Sequence, residues 1–127
     1  MDDFLLHLKI LERILREKRE ILEQILAISE NQAVVLESYQ DDFARAMHSG
    51  MSKEKQKLID IALKNDGVFE TVFNEIVDVF EQEAPGCKRV VEKLQEHIKA
   101  VASTDALIRS QEAKNSELAR RKSPVYS

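Results

Sequence analysis

Residues that make turns and cross-links are what this chain has least of. Among 127 residues there are three glycines, two prolines, one cysteine and no tryptophan. A β-sandwich or barrel needs frequent turns, and so little Gly and Pro excludes one. A lone Cys87 excludes an internal disulfide and makes a reducing cytoplasm the expected compartment. No run approaches the ~20 apolar residues of a membrane span. The start, Met1-Asp2-Asp3-Phe4, has neither a basic region nor an uninterrupted apolar stretch, so no secretory leader is expected. A formal net charge of −4 disfavours nucleic acid as the main partner, because phosphate binding draws on a basic surface.

Chemistry-bearing motifs are equally sparse. His7, His48 and His97 have no further ligand at metal-site spacing, so no metal is expected. Cys87 has basic neighbours in Lys88 and Arg89 but no oriented base, and reads as a small packed hydrophobe. Neither glycine-rich phosphate motif is present, nor is the Glu-x-x-His of a di-iron bundle. No cofactor and no enzymatic activity are expected.

What the chain has in quantity is helical periodicity. From about Asp2 to Tyr39, Leu8, Leu11, Leu15, Leu22 and Ile25 recur at spacings of three, four and seven. Ile10, Ile14, Ile21 and Ile28 widen that stripe, and charged residues from Glu12 to Glu23 fill the opposite face. Asp41 to His48 suggests a short helical turn, with Phe43 and Met47 capping one end of a bundle, and Ser49-Gly50 suggests a break after it. A second long helix is predicted from Met51 to about Glu83, with Ser52 as its N-cap. Gly67 weakens its middle, but the apolar phase is held across it and favours continuity. Ala84-Pro85-Gly86 marks a turn. A third helix is predicted from Cys87 to about Arg121, with a stripe of Val91, Leu94, Ile98, Val101 and Ile108 that Asp105 interrupts.

The expected fold is all-α: an antiparallel bundle of three long, coiled-coil-like helices, up-down-up, forming one domain over residues 1–122. Residues 123–127 are expected to be a disordered tail. The predicted core is Leu15, Leu22, Ile25, Leu58, Phe69, Ile76, Phe80, Leu94 and Ile98. The chain between Gly67 and Gly86 is acidic and holds no Lys or Arg, whereas the third helix ends with a surplus of cations. Such faces are ordinarily just solvated, and they also have the means to select a partner.

This layout resembles the flagellar type III export chaperones of the FlgN and FliT kind. The first helix matches their leucine-glutamate-isoleucine pattern in Ile10-Leu11-Glu12-Arg13-Ile14-Leu15 and Ile25-Leu26-Ala27-Ile28. Asp41 to Met47 resembles their acidic-apolar linker, Glu54-Lys55-Gln56-Lys57-Leu58-Ile59-Asp60 their lead-in to the second long helix, and Ile108, Glu112, Asn115 and Leu118 their closing helix. The resemblance implies a cytoplasmic chaperone that binds a flagellar hook-associated or filament-cap subunit and keeps its terminal helices from assembling early. The third helix would be its client-binding element. The partner-binding residues expected there are Val101, Ala102, Ala106, Ile108, Arg109, Glu112, Asn115, Leu118 and Arg121. The same features allow a structural coiled-coil adaptor, and broad apolar stripes also suit a homodimer.

Overall fold

The computed structural model describes residues 2–38 and 41–121. The order of elements is α1 (Asp2–Ser38), α2 (Asp42–Asn74), a 3₁₀ turn (Val77–Val79), the single-turn α3 (Phe80–Glu83), a second 3₁₀ turn (Ala84–Cys87) and α4 (Lys88–Arg121). Three long helices and no strand make an all-α bundle of the described residues. The expected disordered tail lies outside them. Among the described residues no helix is long and apolar enough to cross a membrane.

α1 organises the fold. Its 37 residues extend roughly 55 Å at ~1.5 Å per residue. Phe4, Leu8, Leu11, Leu15, Leu22 and Ile25 are buried at alternating steps of three and four or at their sum, seven. That is the 3.5-residue repeat of a coiled-coil seam. α2 runs against α1: the paired residues are 68 apart in sequence at His7–Glu75, 48 at Lys18–Asp66 and 20 at Gln32–Ser52. α4 runs parallel to α1, its contacts Glu12–His97, Ser29–Glu112 and Ser29–Asn115 holding separations of 83 to 86. The expected up-down-up arrangement follows.

The second helix differs from expectation at both ends. It starts at Asp42, capped by Asp41, whose carboxylate accepts from the Ala44 N–H at 2.9 Å. It passes unbroken through Gly50 and Gly67. Gly costs a helix up to about 1 kcal/mol, but Ala44, Met51, Leu58, Ala62 and Phe69 stay in phase across both sites and their packing outweighs it. Ser52 is mid-helix and caps nothing; its hydroxyl accepts from Gln32 at 2.9 Å. Phe43 is 70% exposed and covers no end of the bundle. The helix ends at Asn74, not Glu83, because the backbone leaves α geometry at Ile76 (φ −120°, ψ −1°), beside the β-branched Val77 and Val79.

The apolar core is concentrated at one end. Phe4, Leu8, Leu11, Leu15, Ile76 and Leu94 form it, with Phe69, Val72, Phe73, Phe80, Cys87, Val90 and Val91 packed around. The compact turns after α2 bring Phe80 over Phe4 (ring centroids 6.0 Å) and Phe73 (5.7 Å). Of the predicted core, Leu15, Leu22, Ile25, Ile76 and Leu94 are buried, while Leu58, Phe69 and Phe80 are half-buried. Ile98 is 50% exposed, because α2 does not close over it.

This distribution generates a graded test. Leu11→Ala is expected to cost about 3–5 kcal/mol and Ile98→Ala under about 1.5 kcal/mol in urea unfolding, since only the first leaves a closed cavity. Equal losses would mean that Ile98 is covered in solution.

Candidate functional site

α1 packs against both α2 and α4, whereas α2 and α4 touch each other at few places. A closed three-helix bundle would pack all three pairs. Here α1 carries both partners, and α2 and α4 stay largely apart. Between α2 and α4 a groove of about 600 Å³ stays open. Leu15, Lys18 and Leu22 of α1 form its floor, Asp66 and Phe69 of α2 one wall, and Ile98, Val101, Ala102, Asp105 and Arg109 of α4 the other. Its apolar lining is Leu15, Leu22, Phe69, Ile98, Val101 and Ala102, and its four charged residues form two ion pairs, Lys18–Asp66 (2.5 Å) and Arg109–Asp105 (3.0 Å).

One end of the groove abuts the phenylalanine cluster. Past the other end, polar side chains occupy the seam. Ser29 and Gln32 are fully buried, and Asn115 nearly so. Asn115 Nδ2 donates to the Ser29 carbonyl at 2.8 Å, and the Ser29 hydroxyl donates to Glu112 at 2.5 Å. Lys55 Nζ donates to Gln32 Oε1 at 2.6 Å and to Glu112 at 2.8 Å, which joins α2 to α4. Among the described residues every buried side-chain polar atom has a partner, as a network at seam positions requires. Burial pushes the Glu112 carboxyl up, but hydrogen bonds from Lys55 and Ser29 and the nearby charges of Lys55 and His48 outweigh it and leave it below its ordinary value.

The expected partner-binding residues therefore fall into two groups. Val101, Ala102 and Arg109 line the groove, and Ala106 is exposed on α4. Glu112 and Asn115 are tied inward, while Ile108 and Leu118 are half-buried. Arg121 is exposed and paired with Glu117 at 3.2 Å. Sequence reasoning missed Leu15, Lys18, Leu22, Asp66 and Phe69 as groove residues, because a stripe on one helix does not say which part a neighbour leaves uncovered. The signal that was available is Lys18, a cation at a seam position between Leu15 and Leu22.

His7 and His97 show two different settings. His7 Nδ1 faces the Asp3 carbonyl at 2.5 Å and Nε2 faces Glu75 at 2.7 Å. Both partners only accept, so only the protonated ring donates to both at once. The Asp3 carbonyl first, then Glu75, raise its pKa above the ordinary value. His97 lies between an acceptor, Glu12 at 3.3 Å, and a donor, Arg19 at 3.4 Å, a pattern that one ring N–H satisfies.

Comparison with protein-family models, with curated proteins and with solved structures returns no match.

Two measurements check this account. Lys55→Met is expected to lower stability by about 1–3 kcal/mol, because the buried Gln32 carbonyl loses its donor. Arg120→Met, which removes an exposed Glu117 pair, changes it by under about 0.5 kcal/mol. The stability that cationic His7 contributes is fully present below the unfolded-state value of about 6.5 and is lost as pH rises through the higher folded-state value. The urea midpoint is thus expected to fall between about pH 6 and about pH 8.5 by more in the native chain than in His7→Gln. Parallel pH profiles would show that the His7–Glu75 bond adds nothing.

Proposed function

We propose that this protein is a helix-binding chaperone of the flagellar export type, which shelters an amphipathic helix of a hook-associated or filament-cap subunit in the cytoplasm until export. The observation that carries the reading is the open groove between α2 and α4. An aliphatic groove floored by Leu15 and Leu22, and walled by Phe69, Ile98, Val101 and Ala102, has the shape that an amphipathic helix fills in helix-in-groove recognition. The resemblance in layout to the export chaperones supplies the class of client. The work is done by burial alone: an apolar client stripe seated in the groove is no longer available to neighbouring subunits. Nothing in this account breaks or forms a bond.

A coiled-coil adaptor that pairs with itself is the second reading. It is favoured by Ile10, Ile61 and Val68, which remain exposed outside the groove at 38%, 46% and 51%.

Ala102 is exposed on the groove wall, so a larger side chain there fills the groove without entering the core. Ala102→Trp is expected to leave helicity and melting temperature unchanged while weakening calorimetric binding to purified hook-associated or filament-cap subunits by at least about tenfold. Undiminished binding would remove the groove from the mechanism. No binding by the native chain, together with a concentration-dependent dimer, would favour the adaptor.

A further inference from the structure

The groove also specifies the charges of the helix it takes, and this inference rests on the helix-binding reading above. Ile59, Leu63, Asp66 and Glu70 follow one another at steps of four, three and four, so they share one face of α2. Lys99, Ala102, Ala106 and Arg109 share the corresponding face of α4. Asp66 and Ala102 both line the groove, so these faces form its two lips.

The interhelical register sets the lips against each other. Lys18–Asp66 and Glu12–His97 place both Glu70 and Lys99 at the level of Ile14 on α1. Glu70 stands on one lip and Lys99 on the other. They carry opposite charges and both are exposed, yet neither takes part in an ion pair among the described residues, with each other or with anything else. At the far end, the Lys55–Glu112 pair spans the same two helices and closes the gap. The α4 wall from Ile98 to Arg109 covers about 17 Å of helix, or roughly three turns.

We propose that the groove takes a partner's amphipathic helix of about three turns whose flanks bear opposite charges, a cation toward Glu70 and an anion toward Lys99. A second copy of this chain is a poorer occupant. Two such grooves are both concave, so neither fills the other. The charges also set direction. Reversing a helix in the groove exchanges its flanks, so only one orientation puts both charges opposite their complements.

The test uses the full chain and three stapled helical peptides of about 14 residues with one leucine stripe. One carries lysine on one flank and glutamate on the other, one carries lysine on both, and one carries glutamate on both. Fluorescence anisotropy at low salt gives the affinities, and the amide resonances of Phe69 and Ala102 report the site. The mixed peptide is expected to bind about five- to tenfold more tightly than either uniform one, with the difference shrinking in high salt. Glu70→Lys makes both lips basic and shifts the preference to the glutamate-flanked peptide. Adding Lys99→Glu restores the preference for the mixed peptide in the opposite orientation, read from a spin label at the peptide's N-terminus. Equal affinities with groove resonances shifting would overturn the charge assignment and leave helix binding standing. No binding of any peptide would overturn both. Self-association that Ala102→Trp abolishes would make a second copy the occupant and overturn the proposal.

Discussion

The seam of α1 is the interaction on which the rest of the structure depends. Leu8 and Leu11 are 0% and 1% exposed, and with Phe4 and Leu15 they receive α2 on one side and α4 on the other. Burial of a leucine side chain contributes about 1.5–3 kcal/mol. α2 and α4 each pack along α1 and meet each other directly at few places, so the position of each is set mainly by its own packing on α1. That dependence explains why a long central helix and two long partners leave space between the partners.

The seam changes character along its length. At the end made by the start of α1, the end of α2 and the start of α4, it is phenylalanine and aliphatic side chains. Toward the other end Ser29, Gln32, Lys55, Glu112 and Asn115 enter it, beside the buried Val35 and Ala44. Apolar side chains tolerate sliding along a heptad repeat; directional hydrogen bonds do not. Polar residues at seam positions are a known means of fixing register in coiled coils. Here Asn115 and Lys55 fix α4 and α2 to the same turn of α1. The aromatic end contributes most of the burial, and the polar end contributes alignment.

The groove lies between these two regimes. Lys18 occupies a seam position there and is drawn to Asp66, so the floor between Leu15 and Leu22 is not closed by apolar packing. The Lys55–Glu112 pair holds the walls together at one end, and the compact turns between α2 and α4 do so at the other. A site bounded at both ends by fixed structure keeps its width without a ligand. This limits the ordering cost of binding, which otherwise weakens association.

The helices were legible in the sequence because a 3.5-residue apolar repeat has one low-energy solution, a long helix with a buried stripe. The all-α class, the three long elements and most core positions on α1 followed from it, and so did helical continuity through Gly67. Local signals misled where packing overrode them: Ser49-Gly50 read as a break and Ser52 as a cap, but the seam of α2 runs through both. The polarity of Ser29, Gln32 and Asn115 hid their burial, since the bonds that tie them to the neighbouring helices are made with residues 16 to 86 positions away. Val101, Ala102 and Arg109 were found as candidates, but their counterparts on α1 and α2 were not. Periodicity determines which face of each helix is apolar. Only the tertiary structure decides how much of that face a neighbour covers, because the uncovered strip depends on how far apart α1 holds α2 and α4.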